Sequence, residues 1–318
     1  MYALSEALQT AINAGEPQRA LIEFFLKPDG STYGPEDGMP EPVRFSNEDI
    51  LMTNGIQYTA EFNSETDLTI GLCPSAEIQF SMLNDREQLA EFEFGTFRAW
   101  LGARIAATGT ESESPKRMQF PDGLYEFAPL GVFIARRPDV IKKDVIDVDA
   151  NDRMTLFDEE LPAGLISYNE NTTVQTVVNA MCNHVGVTQN EIKVTDEWIN
   201  RSIKVPAQPE KFDGATMREI LGWAAEASCA NARFDREGKL EFVWFKQTDR
   251  TFDEHDYTEF TPSWYETQKI DSLHIRNADE TAEITLTIDE ETGDIISGTG
   301  SNEYMIQDNP FLNAPESP

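Results

Sequence analysis

The chain has 318 residues, with 25 basic and 57 acidic side chains and a formal net charge of −32. This charge excludes the basic patch with which proteins usually neutralise the phosphates of nucleic acids or of anionic membranes. Hydrophobic residues make up 40% of the chain, which is enough for packed cores. At roughly 150 residues per domain, the length predicts about two domains, or three small ones.

Three cysteines and three histidines are scattered through the chain without a CxxC pair: Cys73, Cys182, Cys229, His184, His255 and His274. This spacing predicts neither a disulfide framework nor a zinc site. The first residues lack the basic start and the apolar core of a secretory signal, and no run approaches the ~18 apolar residues of a membrane span. We therefore expect reduced thiols, no membrane partner, and synthesis and folding in the cytoplasm.

Residues 1–160 have the pattern of a β domain that follows a short helix. Leu4, Leu8 and Ile12 recur at every fourth position and predict that helix. A Gly- and Pro-rich stretch predicts a long loop at 28–43. Alternating apolar and polar residues predict strands at 56–62 and 78–82. Short segments between turn signals, on either side of a polar loop tip at 108–116, predict further strands at 20–27, 97–101, 124–127, 131–135, 140–148 and 154–157. A barrel or sandwich is the economical interpretation.

Residues 161–260 are predicted to form a small α+β module. A capping box at 172–175 begins one helix, which Gly186 ends, and a second capping box at 216–219 begins another. A hairpin follows over 231–245, with a turn that contains glycine. The module therefore combines two helices with one hairpin.

The final residues, 261–318, return to strands, which are predicted at 270–276, 284–288 and 294–298. These strands are too few to form a closed structure of their own. We expect that they either complete the first barrel or begin a second barrel that the chain does not finish.

A search for catalytic motifs finds no GxSxG, HExxH or GxxxxGK[ST] pattern in the sequence. Cys182 and His184 lie two residues apart in a predicted helix, where neighbouring side chains diverge, so they cannot form a nucleophile–base pair. Packing or surface roles are predicted for both. The sequence thus predicts no catalytic residue, no cofactor site and no metal site.

Oxygen-bearing side chains occupy the ligand positions of a potential calcium loop: Asp147, Asp149, Asn151, Thr155 and Asp158. Asp152 stands at the sixth position, where the loop requires glycine, and Asp158 replaces the usual bidentate glutamate. The flanks also have the pattern of strands rather than helices. We predict a strand–turn–strand corner with exposed acids, and we keep a calcium-binding adhesion module as an alternative.

A second acidic cluster could supply paired carboxylates for glycosidic chemistry: Asp253, Glu254, His255, Asp256 and Glu259. Because the chain carries 57 acids, some clustering is inevitable, and a solvated loop is the simpler interpretation. A cell-wall hydrolase that uses carboxylates is kept as a second alternative.

Three segments resemble the baseplate hub, or tail-tip, proteins of bacteriophage and prophage tails: IQYTAEFNSETDLTIGLCPSAEIQFSMLN (56–84), DGLYEFAPLGVFIARRPDVIKKDVIDVDANDRMTLFD (122–158) and MREILGWAAEASCANARFDREGKLEFVWF (217–245). Residues 257–277 and 309–312 are similar to the way in which those proteins enter their second barrel. The resemblance covers most of the chain in order.

This resemblance implies a structural role in the virion tail. Hub proteins of this kind form trimers, and each subunit contributes two tube-like barrels to a ring that continues the tail tube. The ring joins the tube and distal tail components to the tip or spike. The implied fold is mostly β, in the α+β class: a tube-like barrel at 1–160, the module at 161–260 and the start of a second, incomplete barrel at 261–318.

The charge is concentrated in the two barrel-like parts. Residues 1–160 carry a net charge of −16, residues 161–260 carry −6, and residues 261–318 carry −10. In a hub ring, an acidic lumen would repel the phosphate backbone. We therefore expect that DNA passes through such a ring without binding to it.

Overall fold

The structure, a computed structural model, describes these residues: 4–33, 43–51, 55–60, 69–83, 95–106, 110–113, 115–135, 145–196, 198–244, 271–276, 283–289, 292, 294–300, 303–307 and 309–312. They contain three α-helices and three β-sheets. The acidic cluster predicted at 253–259 and most of the loop predicted at 28–43 lie outside the described residues.

The chain begins with helix α1 (Glu6–Asn13), as predicted. The Ser5 side chain caps it by accepting a hydrogen bond from the Leu8 backbone nitrogen (3.1 Å). Gly15 follows with a φ of 68°, a left-handed conformation that glycine adopts without steric cost. Leu8 is buried against Ala103 of the first sheet, so the helix covers one end of that sheet.

The first sheet has nine strands: β1 (Gln18–Leu26), β2 (Val43–Ser46), β3 (Gln57–Thr59), β4 (Glu77–Leu83), β5 (Thr96–Arg104), β6 (Ser112–Glu113), β7 (Lys116–Phe120), β8 (Gly123–Ala135) and β9 (Val145–Asp152). Its order is β2-β1-β5-β8-β9-β4-β3, and the β6–β7 hairpin pairs with β8. All of these ladders are antiparallel. The sheet confirms a mostly β architecture for the first part of the chain.

The sheet curls around an aromatic core. The Phe97 ring lies 5.7 Å from the Phe133 ring and 4.9 Å from the Phe24 ring. Just after β2, Ile50 forms a bridge to Met82 of β4, which brings the two ends of the sheet together. No ladder joins β2 to β3 within the described ranges, so those residues do not form the closed barrel that the sequence predicts.

The prediction of a strand at 154–157 is wrong. This segment is a 3₁₀-helix, Arg153–Asp158, and Asp152 caps it by accepting a hydrogen bond from the Met154 backbone nitrogen (3.0 Å). Met154 and Phe157 are both buried. Because a 3₁₀-helix has three residues per turn, their spacing places both side chains on one helical face.

Two further boundaries differ from the prediction. The polar loop tip predicted at 108–116 contains the start of the β6–β7 hairpin, in which Glu113 pairs with Lys116. The strands predicted at 124–127 and 131–135 form the single strand β8, with a register shift opposite Ala99 and Trp100. The shift inserts an extra residue, so the alternation of side chains is interrupted while the strand continues.

The module contains α2 (Val174–His184), α3 (Met217–Glu226), β10 (Asn231–Phe234) and β11 (Leu240–Val243). The capping box of α2 uses Thr173 and Thr176, one residue later than predicted. The predicted box of α3 is confirmed, with the Thr216 nitrogen 2.8 Å from Glu219 Oε2. The β10–β11 hairpin is also present in the predicted place.

The third sheet contains β12 (Ser272–Arg276), β13 (Glu283–Ile288), β14 (Ile295–Ser297) and β15 (Glu303–Gln307). Its order is β14-β13-β12-β15, and β15 runs parallel to β12. The sequence predicted the first three of these strands and missed β15. Across the described part of the chain, no helix combines the length and the apolar character that a membrane span needs.

Candidate assembly surfaces

The first sheet and the module are joined by a short segment, residues 69–73, that runs alongside β10. The buried Asn231 side chain accepts a hydrogen bond from the Leu72 nitrogen (2.7 Å) and donates one to the Thr69 carbonyl oxygen (3.2 Å). The Gly71 nitrogen also donates to the Ala230 carbonyl oxygen (2.9 Å). One asparagine thus satisfies backbone groups that burial would otherwise leave unpaired.

The same segment crosses α3 at two glycines. A Cβ atom on Gly222 would lie 2.8 Å from the Gly71 carbonyl oxygen, and one on Gly71 would lie 2.9 Å from Cβ of Glu226. Gly71 also has a φ of 80°. The two backbones can approach this closely only because both positions lack a side chain.

The third sheet is anchored to the module by residues 309–312. The Phe311 ring is buried in the module core, 5.5 Å from the Phe212 ring. Asn309 Nδ2 donates to the Trp223 carbonyl oxygen and to Glu226 Oε2, both at 2.8 Å. Burial raises the pKa of Glu226, and the hydrogen bond from Asn309 offsets part of this effect.

The third sheet has one apolar face, on which these side chains lie by strand register: Leu273, Ile275, Ile284, Leu286, Ile288, Ile295, Tyr304 and Ile306. Ile306 is buried, and the Tyr304 hydroxyl lies 3.4 Å from the Ile70 nitrogen, so this end of the face contacts the rest of the protein. At the other end Ile288 is 60% exposed and Ile295 is 73% exposed. Exposed apolar area of this kind is typical of an interaction surface.

The opposite face of the third sheet is mostly polar, although the exposed side chains of Ile296 and Met305 also lie on it. His274 lies between Glu303 (3.1 Å) and Glu283 (3.4 Å), and Arg276 donates to Gln307 (2.6 Å). The sheet is therefore amphipathic, and its apolar face is the one that a partner would cover.

Strands β3, β4 and β9 present a second surface on the outside of the first sheet, which we call the acidic strand face. Its side chains, by strand register, are Gln57, Thr59, Glu77, Gln79, Ser81, Leu83, Val145, Asp147, Asp149 and Asn151. Asp147 and Asp149 are exposed and line a shallow pocket, with Ser81 Oγ 2.7 Å from Asp147 Oδ1. None of the described residues on this face is basic.

The acids of the potential calcium loop are separated by the fold. Asp147 and Asp149 belong to the acidic strand face, whereas Asp158 pairs with Arg218 (2.7 Å). Asp152 is buried and accepts hydrogen bonds from Ser75 Oγ (2.8 Å) and the Ala76 nitrogen (3.0 Å). Burial raises the pKa of Asp152, and the prediction that these acids are all exposed is wrong for this residue. No three His, Cys, Asp or Glu side chains of the described residues cluster as metal ligands would.

Cys182 and His184 also take separate positions. Cys182 is buried in the module core, where burial raises its pKa to about 12, so the thiol packs as a small apolar group. His184 is exposed at the end of α2. The acidic cluster at 253–259 lies outside the described residues.

The sequence did not indicate the roles of Asn231 and Asn309, because a single asparagine belongs to no periodic pattern and its hydrogen-bond partners are known only from the fold.

No protein-family model and no curated protein sequence matches the chain. Two tail proteins are among the solved structures that align with it. The 43 kDa tail protein of prophage MuSo2 from Shewanella oneidensis has 13% identity and a TM-score of 0.44, covering 92% of this chain and 72% of its own. The tail protein from Neisseria meningitidis MC58 has 9% identity and a TM-score of 0.39, covering 75% of this chain and 64% of its own.

Proposed function

We propose that the chain is a structural protein of a phage or prophage tail, acting as a baseplate hub or tail-tip subunit in a ring. The order of the described parts supports this proposal: a curled antiparallel sheet, a helical module and an amphipathic sheet that is anchored back to the module. This is the order that the resemblance of 56–84, 122–158 and 217–245 implies.

In this proposal the chain works as a homotrimer in the virion tail, between the tube or distal tail components and the tip or spike. The bridge between Ile50 and Met82 supports a first barrel that closes in the assembled ring. The third sheet supplies part of a second barrel. Its exposed Ile288 and Ile295 support completion of that barrel by a different protein of the tail.

The proposed ring lets DNA pass without binding it. The acidic strand face supports this part of the proposal, because the exposed side chains of Asp147 and Asp149 lie on it. If this face lines the channel, it repels the phosphate backbone. Replacement of both residues by lysine should then retain DNA in purified tails and slow its ejection.

Light scattering and tail assembly together test the hub role. We expect the purified protein to be a trimer, or to form one when neighbouring tail proteins are added. Ile295→Asp should prevent incorporation of the protein into tails, because covering the apolar face by another tail protein would bury an unpaired charge. Val194→Asp is the matched control, since Val194 is 50% exposed in the module. Normal infectious tails made without this protein would refute the proposal.

We propose no enzymatic activity for the chain. A cell-wall zymogram tests this directly, with Asp253→Ala and Glu254→Ala as variants of the acidic cluster. We expect no clearing with the wild-type protein. If the wild-type protein clears the cell wall and both variants do not, the chain is instead a cell-wall hydrolase that uses carboxylates.

A further inference from the structure

Strand β14 lies at one end of the third sheet, and no other strand of the described residues pairs with its outer side. The ladder with β13 fixes which backbone groups face outward. The Asp289 nitrogen donates to the Asp294 carbonyl oxygen (2.9 Å), and the Gly298 nitrogen donates to the Thr285 carbonyl oxygen (3.1 Å). Because antiparallel hydrogen bonding alternates along a strand, the amide groups of Ile295 and Ser297 point away from β13.

A strand added at this edge would extend the apolar face. Residues opposite Ile295 and Ser297 would lie on that face, beside Ile288, and the residue opposite Ile296 would lie on the polar face. Ile295 is 73% exposed, so an apolar neighbour there would remove apolar surface from water. The edge therefore fits a strand that alternates apolar and polar residues.

The charge around β14 indicates which kind of partner this edge would bind. Residues 283–300 contain five acids and neither lysine nor arginine. Asp289 and Asp294 face each other at the turn end of the hairpin, on the polar side of the sheet. A second copy of β14 at this edge would bring its own Asp289 and Asp294 next to these acids. A basic side chain opposite Asp294 would instead form an ion pair with it.

From these observations we propose that the outer edge of β14 binds a β-strand from a different, basic protein. The strand carries apolar residues opposite Ile295 and Ser297 and a lysine or arginine opposite Asp294. The backbone supplies the affinity through the hydrogen bonds of Ile295 and Ser297, and the acidic turn supplies the selectivity. This interaction goes beyond the proposed function, since it does not require the chain to form a ring.

The test uses the full chain and a synthetic peptide whose five central residues are Lys-Val-Thr-Val-Lys. We expect saturable binding in calorimetry and slower amide exchange at Ile295 and Ser297. The same peptide with glutamate in place of lysine should bind at least about tenfold more weakly, which corresponds to about 1.4 kcal/mol. Equal binding of the two peptides would overturn the proposal.

Two variants of one residue separate backbone pairing from side-chain contact. Ser297→Pro removes an outward N–H and leaves the ladder with β13 intact, because that ladder does not use the Ser297 nitrogen. We expect it to weaken binding about tenfold, whereas Ser297→Ala should stay within about twofold. Slow exchange of the Ile296 amide in both variants verifies that β14 is still formed.

The remaining outcomes contradict the proposal. Equal affinities of Ser297→Pro and Ser297→Ala would exclude strand addition at this edge. Protection of Ile295 that rises with protein concentration, without peptide, would assign the edge to a second copy. Either result leaves the tail function standing, and loss of the tail function would leave peptide binding unaffected, so the two proposals fail separately.

Discussion

Asn309 Nδ2 lies 2.8 Å from the Glu226 carboxylate, in a buried position between the third sheet and α3. The same nitrogen donates to the Trp223 carbonyl oxygen, and Asn309 Oδ1 accepts a hydrogen bond from the Phe311 nitrogen (2.9 Å). None of the four apolar clusters formed by described residues includes a residue of the third sheet. The anchor formed by Asn309 and Phe311 is therefore a main attachment of that sheet.

Asn309→Ala should loosen the third sheet without unfolding the module. The substitution leaves the Phe311 nitrogen and the Glu226 carboxylate without their buried partner, which costs about 1–3 kcal/mol. Hydrogen exchange of β12 and β15 should accelerate, while exchange of α2 stays constant. Asn183→Ala, at an exposed position of α2, is the control. Equal exchange rates in both variants would show that the anchor contributes nothing.

Gly222→Ala should destabilise the joint between the first sheet and the module. Alanine normally stabilises a helix interior by roughly 0.5–1 kcal/mol relative to glycine. Here its Cβ would lie 2.8 Å from the Gly71 carbonyl oxygen, and relief of that clash requires a backbone shift. We expect a loss of about 1–3 kcal/mol in urea denaturation. A more stable Gly222→Ala protein would mean that residues 69–73 do not contact α3.

Local sequence signals predicted the local structure well. The Thr216 capping box, the Gly186 helix end and the 231–245 hairpin depend on residues within a few positions of each other, and each is present. The α2 capping box was displaced by one residue, because Thr172 and Thr173 can both supply the hydroxyl and only tertiary contacts select one. The Thr172 carbonyl oxygen instead accepts a hydrogen bond from the Val205 nitrogen.

Contacts between residues far apart in the chain could not be predicted from the sequence. The parallel pairing of β15 with β12 joins Ser272 to Glu303, and neither strand has an apolar pattern that specifies the other. The link between Asn231 and Leu72 spans 159 positions. The prediction of a strand at 154–157 failed for a related reason, since a short, mainly apolar segment also fits a 3₁₀ turn once Asp152 caps it.

A buried ion pair beneath the β6–β7 hairpin supports a third prediction. Lys116 Nζ lies 2.9 Å from Glu23 Oε1, and both side chains are buried. Lys116→Met should cost about 1–3 kcal/mol, because the buried Glu23 carboxylate loses this partner but keeps its ion pair with Arg44 (2.8 Å). Lys239→Met is the matched control, since Lys239 pairs with Glu237 at the surface, where such pairs contribute about 0–1 kcal/mol. Equal shifts in the urea midpoint would contradict the buried pairing.

Glu226 gives a prediction for the pH dependence of stability. Burial raises the pKa of Glu226 in the folded state above its ordinary value of 4.5, so the folded protein binds a proton more readily than the unfolded chain. The stability associated with this proton is fully present below the unfolded pKa and is lost as the pH rises through the folded pKa. Glu226→Gln keeps a carbonyl acceptor for Asn309 and cannot ionise. It should therefore be more stable than the wild type at neutral pH and show a smaller loss of stability as the pH rises from about 4.5.

Urea denaturation across that range measures the difference, with Glu219→Gln in the exposed capping box of α3 as the control. A wild type and a Glu226→Gln variant with parallel pH profiles would show that the Glu226 carboxylate is as well solvated in the folded protein as in the unfolded chain.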